Sequence, residues 1–370
     1  MKKRWSFIIL VMIICLIGGC SHAKEEPLIQ DKYRNYYEIF VYSFCDSNGD
    51  GIGDLNGVTS KLDYLVDLGI DGIWLTPIMP SDTTHKYNVE DYMAIDSTFG
   101  TMEDFDRLME ECNKRGINVI LDLVVNHTST KHPWFLKALD EVKAGKPGKY
   151  ADYYSFVQNE EEKNSLDDEG GYHSAGIGNY MYEYAFTDNM AALNLENKEV
   201  VTEINNIAKY WLDKGVAGFR LDAVRHYCFD QAKSINFLKE FYKYCQTINP
   251  EVYMVGEVFS SGSMIETFYE TDIDSYFNFM FAKADGRITS NLRGRAGADF
   301  VQSLYKWQER ISKVKANYID ANFLSNHDTD RYFGVIGKDN IKQKMAASMY
   351  LMMPGNSFTY YGEEIGMLGS

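Results

Sequence analysis

From Tyr37 onward, short apolar runs alternate with amphipathic stretches, and this alternation constrains the fold more than any other feature of the 370 residues. A strand covered on both faces reads as an unbroken apolar run, and strands alternating with helical patterns build a parallel sheet with crossover helices. Strands are expected at 38–44, 72–75, 118–125, 218–221, 252–255, 273–277, 318–324 and 357–361. Helices are expected at 58–68, 103–115, 200–214, 230–246, 299–312 and 341–352, the second of them stopped by Gly116 at a C-cap position. Eight strands in this order predict an α/β fold whose sheet closes into a (β/α)8, or TIM, barrel.

Two stretches break the alternation. Between the third strand and the helix at Val200 lie about 70 residues rich in Tyr, Gly, Asn and acidic side chains, more than an ordinary βα loop holds. A small domain, 127–199, is therefore expected to be inserted after strand 3 and to lie over the rim, with the barrel at 33–126 and 200–370. The chain reaches Ser370 just after the eighth strand, so the last barrel helix and a C-terminal β-domain are expected to be absent from this chain, as in a truncated form.

At the other end, Met1-Lys2-Lys3-Arg4 precedes a mostly apolar run from Phe7 to Leu16 and then Gly18-Gly19-Cys20. That run is too short to span a membrane comfortably. Residues 1–19 are expected to be a lipoprotein signal peptide, cleaved before Cys20, with a lipid on the Cys20 sulfur and a polar tether over 20–32. The alternative is an ordinary secretory signal cut nearby. On the first reading the mature protein is extracellular and lipid-anchored to the cell membrane.

The remainder, roughly 340 residues, suffices for one large barrel with an inserted lobe. A formal net charge of −16 argues against nucleic acid, whose phosphates are bound by clustered Lys and Arg. The charge suits a soluble enzyme acting on a neutral polymer. The 27 Tyr supply flat platforms for the C–H faces of sugars, although core filling accounts for most of them. Cys45, Cys112, Cys228 and Cys245 show no metal-type spacing and cannot be paired from sequence; Cys112, within a helical pattern, is expected to be a buried thiol.

In four places an apolar run ends in acidic or histidine side chains: Asp122-Leu123-Val124-Val125-Asn126-His127, Gly218-Phe219-Arg220-Leu221-Asp222-Ala223-Val224-Arg225-His226, Val255-Gly256-Glu257-Val258 and Phe323-Leu324-Ser325-Asn326-His327-Asp328. Catalytic groups of a parallel barrel sit at the C-terminal strand ends, so these clusters should meet at one rim. Asp222 and Glu257 end consecutive strands, which lie about 4.8 Å apart. That spacing suits the two carboxyls about 5–5.5 Å apart that retaining glycoside hydrolysis requires. The shorter Asp222 suits attack from a fixed position, and the longer Glu257 suits a leaving-group oxygen, with burial and repulsion raising its pKa. Arg220, two residues before Asp222, shares its face of the strand and can orient that carboxylate. Asp328 can bind sugar hydroxyls and favour ring distortion, and His127 and His327 can donate to hydroxyls as positive charge develops at the anomeric carbon. An isolated Asp or His at a strand end is usually a cap or packing group; it is their co-occurrence in this order that points to catalysis.

These four stretches resemble the signature segments of the alpha-amylase family of glycoside hydrolases. The resemblance runs from Tyr36 to Gly366, with Tyr36-Tyr37-Glu38-Ile39-Phe40 similar to the family's opening strand and Tyr360-Tyr361-Gly362-Glu363-Glu364-Ile365-Gly366-Met367 to its eighth. It implies Asp222 as nucleophile, Glu257 as acid/base and Asp328 as transition-state stabiliser, supported by His127, Arg220 and His327. His85-Lys86-Tyr87-Asn88-Val89-Glu90-Asp91-Tyr92 is similar to the segment whose tyrosine, here Tyr87, stacks on the sugar. His226 matches a position that contacts sugar on the leaving-group side.

Asp46-Ser47-Asn48-Gly49-Asp50-Gly51-Ile52-Gly53-Asp54 places oxygen ligands at alternate positions with glycines for a sharp turn, the local logic of a calcium loop. It departs from the helix-flanked motif in having Gly57 where a Glu would close the site. The family resemblance implies a structural Ca2+ held by Asp46, Asn48, Asp50, the Ile52 carbonyl and Asp54. A second calcium of many relatives is not expected, because Ala192 in Met190-Ala191-Ala192-Leu193-Asn194 stands where an Asp ligand belongs, although Asn126 and the His226 carbonyl fit.

The expected activity is retaining, endo-acting hydrolysis of α-1,4 bonds in starch or maltodextrin. Alternatives are an oligo-1,6-glucosidase or exo-acting α-glucosidase, a transglycosylase sharing the covalent intermediate, and a non-catalytic glycan-binding lipoprotein. Asn88, where exo-acting relatives carry Asp, and His226 favour the amylase.

Overall fold

The computed structural model describes residues 32–146, 148–163, 170–294 and 297–369. The expected leader and the Cys20 lipidation site lie outside the described residues. Eight parallel strands form one sheet: β1 (Asn35–Ile39), β2 (Gly72–Leu75), β3 (Asn118–Leu123), β4 (Gly218–Leu221), β5 (Tyr253–Gly256), β6 (Ser275–Tyr276), β7 (Ala321–Phe323) and β8 (Asn356–Tyr360). Their order is β6-β5-β4-β3-β2-β1-β8-β7. A single parallel bridge, Phe277 to Ala321, joins β6 to β7 and completes the circle. The sheet is thus the expected (β/α)8 barrel.

Every residue of β2, β4 and β5 is buried, as strands lined by helices outside and side chains inside must be. The barrel interior is aromatic: Tyr36 stacks between Phe358 and Tyr253, at 4.8 and 5.4 Å between ring centroids. Gly256 on β5 is where that filling demands glycine, since a Cβ there would lie 2.5 Å from the Tyr276 ring.

The first strand differs from expectation. It begins at Asn35 and ends at Ile39, and 41–44 form a helical turn, with the Ser43 N–H donating to the Phe40 carbonyl at 3.1 Å. An apolar run this short fits strand or helix equally well, so its pattern could not mark the turn. The helix expected at 58–68 is two, Leu55–Ser60 and Leu62–Asp67, broken at Lys61.

Between β3 and the helix Lys198–Asp213, the chain builds a second, five-stranded antiparallel sheet. Its first strand, His127–Ser129, pairs with Met190–Ala192 and follows the last turn of the barrel rim. It also contains a helix, Pro133–Lys143, which the composition of the segment hid. Pro133 occupies the first turn, where no N–H is needed, and the His132 ring accepts from the Trp134 N–H at 3.1 Å.

The four described cysteines are all free, and Cys112 is buried as expected. Among the described residues, no helix is long and apolar enough to cross a membrane.

Candidate active site

Arg220, on β4, is 1 % exposed and contacts three carboxylates. Its Nη1 donates to Asp122 Oδ1 at 2.9 Å and also to Asp222, two residues further on. Its Nη2 lies 3.1 Å from Glu257 Oε2. Leu221 on β4 is in register with Gly256 on β5, so Asp222 and Glu257 leave their strands side by side. One guanidinium therefore ties the two acids together, whereas sequence had assigned it to Asp222 alone.

The turn after β4 adds a contact that sequence did not reveal. Ala223 adopts a left-handed conformation (φ 44°, ψ 46°), which costs a residue with a Cβ about 1–2 kcal/mol. In return its N–H donates to Glu257 Oε2 at 3.2 Å. Strain of this kind concentrates at functional sites.

Burial raises the pKa of both Asp222 and Glu257, against the pull of the Arg220 charge. Each is raised further by neighbouring carboxylates, Asp328 for Asp222 and both Asp222 and Asp328 for Glu257. Asp122 is raised by burial as well, yet three donors meet it: Arg220, the Tyr87 hydroxyl at 2.8 Å and the Trp74 indole N–H at 3.2 Å.

His327, after β7, forms the opposite wall. Its Nδ1 is 2.6 Å from Glu38 Oε1, and its Nε2 lies 3.0 Å from Asp328 Oδ2 and 2.7 Å from the Tyr87 hydroxyl. The Tyr87 ring stacks on the His327 ring, with centroids 5.5 Å apart and planes within 11°. Burial alone would raise Asp328, but the His327 charge and hydrogen bond outweigh it and hold the carboxyl down at about 2. His127 is the contrasting case: burial lowers it to about 4, so its ring is neutral at ordinary pH.

A cavity of about 530 Å³ opens over these groups. Its walls include Tyr87, His127, Asp222, His226, Glu257, His327 and Asp328, so seven of the eight residues proposed from sequence for catalysis and substrate border one space. Arg220 lies beneath it. Phe40, Phe186 and Phe259 supply apolar walls, with Phe186 set edge-on to both His127 and His226. A second cavity of about 560 Å³, lined among others by Asn126, Glu183 and Asn194, shares His226 with the first. Asn88 is buried behind the wall, and neither polar atom of its side chain has a partner.

The nine-residue loop stands apart from this cavity. Asp46 accepts from the Asn48, Gly49 and Gly51 N–H groups at 3.0, 2.6 and 2.8 Å, and Asn48 and Asp50 each cap the residue two further on. Gly49 and Gly51 take φ of 84° and 89°, conformations that allow this tight curl. Asp54 turns inward to Ser47 and to the Gly57 N–H at the start of the next helix. The donor set is entirely oxygen, which fits a hard cation such as Ca2+. Among the described residues, no cluster of three or more His, Cys, Asp or Glu side chains is placed to hold a metal by itself. A cation in this loop would rest partly on Asn48 and the Ile52 carbonyl.

Sequence reasoning gave no role to Glu38, Trp74, Asp122 or Ala223. A signal did exist for Glu38 and Asp122, since each is a carboxylate inside an otherwise apolar barrel strand, and such groups are rarely buried without a partner. Trp74 and Ala223 carried none.

The family description "Alpha amylase, catalytic domain" matches residues 38–370. The chain is 40% identical over 366 residues to Alpha-amylase 3 of Dictyoglomus thermophilum, covering 98% of this chain and 70% of that protein. It is 33% identical to an oligo-1,6-glucosidase of Parageobacillus thermoglucosidasius, covering 90% of this chain and 64% of the relative. Among solved structures, Eubacterium rectale Amy13B superposes with a TM-score of 0.87 at 46% identity, covering 92% of this chain and 68% of the other. The chain thus spans about two thirds of the length of the proteins it matches.

Proposed function

The chain belongs to the alpha-amylase family of glycoside hydrolases, and on that premise we propose that it cuts internal α-1,4 bonds of starch and maltodextrin with retention of configuration. The observation that carries this reading is the pair Asp222 and Glu257, leaving adjacent strands and bound to opposite nitrogens of the Arg220 guanidinium. Neighbouring strands are spaced about 4.8 Å apart, which matches the carboxyl separation of about 5–5.5 Å that retention requires.

In this mechanism the Asp222 carboxylate attacks the anomeric carbon while Glu257, in its protonated form, gives its proton to the departing glycosidic oxygen. The glycosyl ester on Asp222 is then hydrolysed by a water whose proton returns to Glu257. With Glu257 protonated, four carboxylates, Glu38, Asp122, Asp222 and Asp328, face two cations, Arg220 and His327. Such an excess of negative charge favours the oxocarbenium-like transition state over the neutral substrate. Tyr87 and His226 bind sugar on either side of the scissile bond, and His127, neutral, hydrogen-bonds a hydroxyl.

Calcium, when bound by Asp46, Asn48, Asp50, the Ile52 carbonyl and Asp54, pins the loop after β1 and does not activate water. From the leader sequence we further propose a lipid on Cys20 that anchors the protein on the outer side of the membrane, which labelling with a radioactive fatty acid would test.

Internal cleavage is supported by the adjoining cavities, which leave room for a chain to continue past His226, and by the relative named alpha-amylase. The relative named oligo-1,6-glucosidase favours a second reading, removal of single glucose units from short α-1,6-linked substrates. Digestion of soluble starch decides between them. A ladder of maltooligosaccharides at early times is expected; glucose as the sole early product, with isomaltose the better substrate, would overturn the first reading.

A further inference from the structure

Building on the function proposed above, we propose that Glu38, at the end of β1, is a positioning residue that holds His327 as an imidazolium with both ring nitrogens protonated. Chemistry fixes the direction of a chain of hydrogen bonds that runs from Asp122 through Tyr87 to His327. Tyr87 has one hydroxyl proton, and Asp122 Oδ2, an acceptor, sits 2.8 Å from it. The Tyr87 oxygen is then an acceptor for its other neighbours, Arg220 Nη1 at 3.4 Å and His327 Nε2 at 2.7 Å. His327 Nε2 must therefore carry a proton, and it shares that proton with Asp328 Oδ2 at 3.0 Å.

On the other side of the ring, Nδ1 lies 2.6 Å from Glu38 Oε1; burial raises this carboxyl and the His327 contacts pull it back, and in its ionised form it offers only lone pairs there. This nitrogen must donate too. The Glu38 Oε1 atom also accepts the His327 backbone N–H at 3.2 Å, so side chain and backbone are located by the same oxygen. A neutral imidazole has one N–H and could satisfy only one end of this arrangement. Glu38 and the His327 side chain are both nearly sealed from water, where a charge-assisted pair is strong and loss of one partner is costly.

The other groups facing the ring point the same way or are weak. Trp74, on β2, meets it edge-on at 5.6 Å and carries no charge. His85, on the loop after β2, opposes a second charge nearby but is itself pushed toward neutrality by burial. Asp122 and Asp222 are felt as negative neighbours and favour the cation. The consequence for the reaction is a fixed positive charge beside Asp328, which keeps that carboxylate ionised and aimed into the cavity. It also supplies a permanent Nε2–H donor for a sugar hydroxyl that displaces the Tyr87 or Asp328 contact.

The test uses the whole protein labelled with nitrogen-15, in which seven histidines make individual ring signals assignable with a His327→Gln reference. In the unaltered protein both His327 nitrogens are expected to stay protonated through neutral pH, beyond the range in which a free imidazole loses its proton. In Glu38→Gln, which keeps an oxygen acceptor of the same shape, the ring's pKa is expected to fall by at least about one unit. The alkaline limb of kcat/KM on maltodextrin should move down with it, with kcat falling about tenfold and KM changing less. Glu38→Asp, which restores the charge on a shorter arm, should recover part of the pH profile. A His327 ring with a single protonated nitrogen at neutral pH would overturn the inference, as would a Glu38→Gln protein whose ring and pH profile match the original. Should Glu38→Gln fail to fold, the spectrum of the unaltered protein decides alone. A protein that hydrolyses no α-glucan would sink the proposed function, while the ring's protonation would still be read directly from the same spectrum.

Discussion

Arg220 is the residue on which the reacting groups depend, because its guanidinium meets Asp122, Asp222 and Glu257 at once. A lysine ammonium is a point charge and cannot hold three separated carboxylates in one plane. Arg220→Lys is expected to lower kcat more than about a hundredfold. In Arg220→Met, which does remove the cation, Asp222 and Glu257 should rise in pKa, so the nucleophile stays protonated to higher pH and the acid limb of kcat/KM moves upward. A pH–rate profile of the variant checks this. Glu257→Gln separates the two roles of the pair: hydrolysis of maltodextrin should drop by about 10²–10⁴-fold, since proton donation is lost. The first burst from an aryl glucoside with a good leaving group, which needs no proton, should persist. Asp222 and Glu257 were legible in the sequence because each ends an apolar run. Glu38 stood out as a carboxylate in an apolar strand, but its partner His327 was hidden 289 positions away, and Ala223 was hidden because backbone strain leaves no mark on residue type.

At the scale of elements, the start of the antiparallel sheet is held by two histidines that must be uncharged. Burial lowers His132 to about 3 and His127 to about 4, and the His132 ring caps the helix Pro133–Lys143 by accepting an N–H. In the unfolded chain both rings titrate near 6.5, so between that value and about 4 the unfolded state binds more protons. The stability of this segment should be fully present above pH 6.5 and decline as pH falls toward 4. Amide hydrogen exchange across 127–143 should accelerate over that interval, and His132→Asn, which caps without titrating there, should flatten the response. Exchange that stays constant from neutral pH down to 4 would contradict it. Strands such as Gly72–Leu75 and Gly218–Leu221 were readable at their true limits, because turn glycines and charged neighbours bracket apolar cores. The limits of β1 were not, since Ile39 to Phe44 is apolar but for Ser43 while the chain turns at Phe40.

For the molecule as a whole, the oxygen-rich loop predicts a dependence on calcium that is one of stability. Millimolar Ca2+ should raise the melting temperature and a chelator should lower it, with Asp50→Ala abolishing the difference while leaving kcat at saturating substrate nearly unchanged. A melting temperature indifferent to both would remove calcium from the description. The closure of the barrel carries a different consequence. Seven of its joints are runs of paired strand residues, but the joint between β6 and β7 has one paired bridge, flanked by hydrogen bonds from the Ile319 N–H to the Asp274 carbonyl and from the Asn278 N–H to the Ala321 carbonyl, with Phe277 and Phe279 packed against Phe323. Under mechanical tension or limited heating, the cylinder should gape first along that line, as a hoop parts at its rivet. Asp328 rides on one lip of that crack while Asp222 and Glu257 stay with the other, so catalysis should fade before the fold melts.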